Sequence, residues 1–359
     1  PATPAFFDLH TRKSILRDSS SYLSNAVLSD NKRLPYETEV STAPFFQQGV
    51  CEMKNKQALK IKIKKQIVWY SFLIVSIVTL IALTYIPMLQ SVKYSFFDIQ
   101  VIGFGDDKFV GFQNYEKIMN NASFLKSIGN TFLLAFLSLI SIPVGFILAT
   151  LINNIGKGKW QSFFRVGYYF PNIITGVSVV LIFQIVLKAN GGLLNNALSF
   201  LTGQDVTIGW LSDSHFSRFG ATILSVWGNM GYAMLINLAS LQSIPSEIYE
   251  AAEVDGANGI KQWWYITIPQ MKSCFAFLFI TSMINGLARF TDLFIIGGNT
   301  SAGRPGGTLQ TIMMYIYQFS FETPQYGIAS AGAMILFVMT FVITLINLKM
   351  TGFFKKNKV

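Results

Sequence analysis

Six apolar runs dominate the sequence from Ile67 onward, and no other feature restricts the fold as much. They occupy about 67–91, 127–153, 163–187, 219–243, 273–296 and 326–348. At about 1.5 Å per residue, each crosses a hydrocarbon core of about 30 Å as a helix. The bilayer interior offers no water to backbone N–H and C=O groups, so a run of this length must satisfy them within itself. The expectation is an all-α polytopic membrane protein with six transmembrane helices. Only 13% of residues are charged, half of the roughly 25% usual in soluble domains, which agrees.

The net charge of +10 would suggest nucleic acid in a soluble protein. Here the basic residues flank the apolar runs and read as topology signals. The segments 53–66, 154–165, 245–272 and 349–359 hold fifteen Lys and Arg, whereas the loops 92–123, 188–218 and 298–325 hold six. That asymmetry predicts both termini and the 245–272 loop in the cytoplasm, and the apolar composition and lysine-rich start fit a bacterial plasma membrane. Residues 53–66 are then a basic cytoplasmic segment, 67–350 a six-span domain and 351–359 a basic tail. Residues 1–52 contain no apolar run long enough for a signal-peptide core or a span. Their composition predicts a disordered or non-native extension ahead of Met53.

Catalytic and metal-binding residue types are scarce. The two cysteines, Cys51 and Cys274, form no CxxC motif, and the two histidines, His10 and His215, lie in separate regions. No metal site is expected. No GxxxxGK[ST] sequence exists to cradle phosphates; Gly103-Phe-Gly105-Asp-Asp-Lys108 lacks the spacing. The chain reads as one without catalytic or energy-converting chemistry of its own, and not as an enzyme. A secondary transporter would want a carboxylate or His relay in the spans, and Asp292 is the one carboxylate clearly near a span. An intramembrane enzyme would want a Ser/His, paired Asp or HExxH set, which the spans lack.

Between the fourth and fifth runs lies a wet interruption, EAAEVDGANGIKQWWYITIP, Glu250 to Pro269. Pro245 suits a first helical turn, and Glu247 and Glu250 favour a helix N-terminus. Asp255-Gly256 is a turn signal, and a second short helix is expected over about 258–266, with Pro269 ending the motif. The same residues also suit an interfacial linker anchored by Trp263 and Trp264.

Taken residue by residue, the stretch resembles the EAA loop of binding-protein-dependent ABC importer permeases. Glu250, Ala251, Ala252, Asp255, Gly256, Ala257, Ile266 and Pro269 match that pattern; Ile268 replaces a usual Leu and Trp263 a usual Phe. The resemblance to the carbohydrate-importer subfamily covers about residues 65–350. It includes VGFQNYEKI, SIGNTFLLAF, FRVGYYFPNIITGVSVVLIF, LASLQSIPSEIYEAA and RFTDLFIIGGNTSAGRPGGTLQTIMMYIYQFSF. The usual GGP of the last loop is altered to Arg304-Pro305-Gly306-Gly307. The resemblance implies the type I importer permease fold, with 245–269 as a cytoplasmic coupling helix docked on a separate ATPase. It also implies a second permease subunit, two ATPase subunits or domains that use ATP and Mg, an extracytoplasmic solute-binding protein and a sugar substrate. No cofactor is expected on this chain itself. Glu250, Ala251, Ala252, Asp255, Gly256, Ala257, Trp263, Ile266 and Pro269 would serve ATPase coupling.

Polar side chains within spans usually face a cavity or a neighbouring helix. The substrate-path candidates are Gln184, Trp227, Asn229, Tyr232, Asn237, Asn285, Arg289 and Asp292, a mix of amides, aromatic faces and charges suited to sugar hydroxyls and rings. Asn and Gln also bond across helices, and Arg289 and Asp292 at i,i+3 can simply pair. Gly228, Gly231, Gly286 and Ala288 are expected at close helix contacts. Pro87, Pro143 and Pro171 are expected to kink spans or mark their ends.

Overall fold

A computed structural model describes residues 70–99, 107–156, 158–174 and 176–350. The expectations for 1–52, 53–66 and 351–359 fall outside these residues. The chain divides into two compact units, Pro1–Val78 and Thr79–Val359, and every site described below lies in the second.

The first span is α1 (Tyr70–Tyr94). It holds a π turn at Ile81–Tyr85, just before Pro87. Proline brings no N–H to the ladder, and a wider turn is one way a helix absorbs that loss. A two-residue strand pair, β1 (Phe97–Asp98) and β2 (Lys108–Phe109), follows α1. Then come α2 (Gln113–Met119), α3 (Ala122–Ser138) and α4 (Ser141–Asn154). Asn121 starts α3 by accepting the N–H groups of Ser123 and Phe124 at 2.9 and 3.2 Å, the usual N-cap device. A two-residue break separates α3 from α4, whose first turn contains Pro143.

The third run is not one rod. It consists of α5 (Lys159–Ile173), with Pro171 in its last turn, and α6 (Gly176–Val186). After α7 (Leu193–Thr202) comes α8 (Ser217–Leu241), which packs on α4 and α5 and also touches α3, α6 and one further span. Two helices form the interruption, α9 (Ser246–Val254) and α10 (Gly259–Gln270). The chain bends by 61° into α11 (Lys272–Leu287). This corrects the expected fifth span, because the helix stops at Leu287 and residues 291–296 form a separate α12 (Thr291–Ile296). Arg289 sits in the gap. The chain ends with α13 (Ile312–Tyr317) and α14 (Tyr326–Met350).

Among the described residues, four stretches are long and apolar enough to span, α1, α8, α14 and α3–α4 taken together as Ala122–Asn154, and counting each bent pair as one span brings the total to six. The three prolines of the apolar runs all lie at breaks or irregular turns. Close helix approach is set by Gly231, where a β-carbon would lie 2.1 Å from Tyr168 O of α5, and Gly286, 2.9 Å from Ala135 Cα of α3. Gly228 does not share that role: a β-carbon there meets nothing within 4 Å, because its face opens onto a cavity.

Candidate functional site

Two places carry functional geometry. The first is the corner between α9 and α10. Gly256 takes φ +75°, a conformation that glycine reaches without Cβ strain. Its N–H donates to Glu253 O at 3.0 Å, and Ala257 N–H donates to Ala252 O at 2.9 Å. These two bonds are a Schellman closure, which satisfies carbonyls left open at a helix end. Asn258 then caps α10 by accepting Lys261 N–H at 2.9 Å. The letters DGAN thus encode a helix stop and a helix start made almost entirely by backbone.

The corner is held on one side only. Trp263 stacks on Phe146 of α4 with centroids 5.3 Å apart, and its Nε1 donates to Thr150 Oγ1 at 3.4 Å. Ile268 and Met271 join the same apolar cluster with Met234 and Leu238 of α8. Tyr249 of α9 shares a 3.0 Å hydroxyl bond with Thr267 of α10. On the other side α9 buries no residue. Glu250, Ala251, Asp255 and Gly256 are exposed, with Ala252 and Ala257 half-buried. Val254 is 90% and Ile260 72% exposed.

One sequence expectation changes here. Pro269 does not end the motif, since α10 runs through it to Gln270. The π turn at Trp263–Thr267 precedes it and shifts the bonding pattern to i+5, with Ile268 N–H on Trp263 O. Trp263 faces its own core, so within this motif it anchors the corner. Ile266 is half-buried beside it, and Pro269 is exposed.

The second place is a cavity of about 360 Å³ among α3–α4, the α5–α6 break, α8 and α11–α12. Five of the eight path candidates line it: Asn229, Tyr232, Asn285, Arg289 and Asp292. Three do not. Gln184 donates to Ile295 O at 3.3 Å and opens onto a different cavity. Trp227 packs on Phe183 at 5.1 Å and faces an apolar groove with Phe163 and Phe170. Asn237 is fully buried and accepts the Cys274 thiol at 3.4 Å.

The cavity also uses groups that reading the sequence missed: Ser138, Ser141, Asn172, Ser225, Thr281 and Ser282. Half come from helix breaks. Ser138 and Ser141 bracket the α3–α4 gap, and Asn172, next to Pro171, donates to Gly228 O at 2.6 Å. Interrupted spans are where backbone and small polar groups gather in transporters. SLISIP and FPNIITG carried that signal. At one end of the cavity Arg289 closes the gap before α12. Its Nε and Nη2 meet Asp292 Oδ2 at 2.7 and 2.5 Å, and Nη2 also donates to Ala221 O at 2.7 Å.

Beyond that end, the altered loop is tied down. Asn130 of α3 donates to Gly307 O and Gln310 O at 2.8 and 3.0 Å and accepts from Arg218 Nη2 at 2.8 Å. Lys126 donates to Gly306 O at 2.7 Å.

A profile of the family described as binding-protein-dependent transport system inner membrane component matches residues 141–351. The chain belongs to this family. The permease is 31% identical over 291 residues to the multiple sugar-binding transport system permease protein MsmF of Streptococcus mutans, covering 80% of this chain and 96% of that one. It is 30% identical over 295 residues to the arabinooligosaccharides transport system permease protein AraP of Halalkalibacterium halodurans, covering 81% and 90%. Among solved structures it resembles a chain of a bacterial ABC transporter involved in import of the acidic polysaccharide alginate. That match has TM-score 0.68 and 24% identity and covers 83% of this chain and all of the other. A second match, at TM-score 0.68 and 25% identity, is to a bacterial alginate ABC transporter in complex with an alginate pentasaccharide-bound periplasmic protein. It covers 83% of this chain and 98% of the other. The permease is therefore an all-α, polytopic inner-membrane transport subunit with the type I importer permease fold.

Proposed function

We propose that the permease passes a sugar or oligosaccharide from an extracytoplasmic solute-binding protein across the membrane by ATP-driven alternating access. It does so beside a second permease subunit and above two ATPase subunits that bind ATP and Mg. Both termini and the α9–α10 corner lie in the cytoplasm. The observation that carries this reading is the corner itself. It is packed where it meets α4, α8 and α11, and exposed where it presents Glu250, Ala251, Asp255 and Gly256. A partner that moves this face moves the bundle. In the family this is where the ATPase docks, and Glu250 offers it a charge-assisted bond. Trp263, Ile266 and Pro269 transmit the movement inward. The sugar reading is supported by the names of MsmF and AraP and by a cavity lined with amides, hydroxyls and Tyr232. Sugars need such donors and acceptors placed in a mostly preformed pocket.

The test is a mild-detergent pull-down of the tagged permease from its native membrane, with Gly256→Val run in parallel. An ATPase and a second permease should co-purify with the native chain, and the ATPase should be lost from the variant. Recovery of the permease alone under several detergents would sink the proposal.

A further inference from the structure

The central cavity contains two charged residues among those that line it, Arg289 and Asp292, and they are spent on each other. Every other polar group on its wall is an amide or a hydroxyl. The guanidinium is the more hidden partner: the Arg289 side chain is 8% exposed and that of Asp292 20%. Arg289 Nη1 is buried without a hydrogen-bond partner among the described residues. A buried cation of this kind is tolerated only when paired. Unpaired, it would be a strong site for an anionic cargo group, which a guanidinium binds in a two-pronged fashion. Here Asp292 occupies that position, and its carboxylate is the more exposed of the two charges.

We propose that Asp292 sets the charge class of the cargo. By neutralising Arg289 it makes the cavity one for uncharged sugars, and uronic or phosphorylated ones are excluded. The inference rests on the sugar-import reading and deepens it. The fold does not decide the matter, since an alginate importer of the same fold handles an acidic polysaccharide. The discriminating variable is the charge that the wall leaves uncompensated. An anion entering the cavity gives up its hydration and gains no free cation in return.

The experiment measures the potential inside the cavity of the assembled importer, so charges from every subunit are included. Asn285→Cys, placed on the cavity wall in a Cys51→Ser/Cys274→Ser background, reports the modification rate by two methanethiosulfonates. One carries a sulfonate and the other a trimethylammonium group, and both rates are normalised to a free thiol. With the native pair, the normalised rates should agree within about threefold. Asp292→Asn should favour the sulfonate on the order of tenfold, and Arg289→Gln should favour the ammonium similarly, as expected for one uncompensated charge nearby. Arg289→Gln/Asp292→Asn should return the ratio to the native value. If Asp292→Asn does not assemble, Arg289→Gln against the double variant carries the same comparison, since neither leaves a buried cation. A native ratio already skewed strongly to one sign, or single variants that leave it unchanged, would overturn the inference. Sugar protection separates the two readings. Slowed modification by neutral trisaccharides and not by trigalacturonate supports both. Protection by trigalacturonate alone overturns the charge inference and leaves sugar import standing. Protection by neither counts against sugar import, and the rate ratio still decides the charge inference.

Discussion

The α9–α10 corner and the central cavity are built by opposite means. The corner is contiguous in sequence, closed by its own backbone and exposed on the face that matters. The cavity is assembled from separated helices and their breaks, most of its polar groups are short side chains, and its two charges are paired with each other. A contiguous surface element can be changed at one residue without disturbing the bundle. A cavity bounded by close helix contacts cannot.

That contrast is open to test, beginning with the largest effect. Gly231→Val should break the bundle, because a β-carbon there lies within 2.1 Å of Tyr168 O. Overpacking of this kind costs about 1–3 kcal/mol or more. The expected result is loss of a monodisperse peak in detergent together with loss of uptake. Gly256→Val should leave that peak intact and lower uptake more than tenfold, because a β-branched residue at φ +75° opposes a penalty of about 1–2 kcal/mol and shifts the exposed face. Gly256→Asn sharpens the point, since Asn adopts this backbone readily. Retained uptake would show that the corner needs its conformation, and lost uptake that the partner needs the missing side chain.

Trp263→Ala removes the half-buried anchor and its stack on Phe146, an effect of about 2 kcal/mol. Stimulated ATPase activity should then persist while uptake per ATP falls. Equal loss of both would mean that Trp263 supports docking directly. Asn285→Ala removes one cavity amide, worth about 1 kcal/mol. It should raise the half-saturation for sugar about fivefold with ATPase docking unchanged. Asn258→Ala is the smallest, about 1 kcal/mol of helix capping, read as faster proteolysis at the corner with little change in uptake.

The two regions also differ in how far the sequence announces them. Apolar length announced the spans, and Asp255-Gly256 announced the corner, because turn chemistry is local and a Gly with positive φ leaves a distinct mark. The direction of Trp263 was not legible, because an aromatic at an interface suits lipid, core and partner equally. Only the packed bundle shows the ring stacked on Phe146. In the cavity, large polar residues stood out and hydroxyls did not. Ser138 and Ser141 fit an apolar run without comment, and their position beside a helix gap gives them access to the cavity. Asn237 and Gln184 stood out for the same reason and point elsewhere, because a polar group inside a span can be satisfied by a neighbouring helix as well as by solute.

The Schellman closure at Gly256 has a consequence for how such importers diversify. The bonds that shape the corner run between main-chain atoms, with Asn258 adding a single cap. No side chain on the exposed face of α9 is needed to keep the form. Glu250, Ala251, Val254 and Asp255 are therefore free to be rewritten, and the corner keeps one outline whatever lettering its exposed face carries.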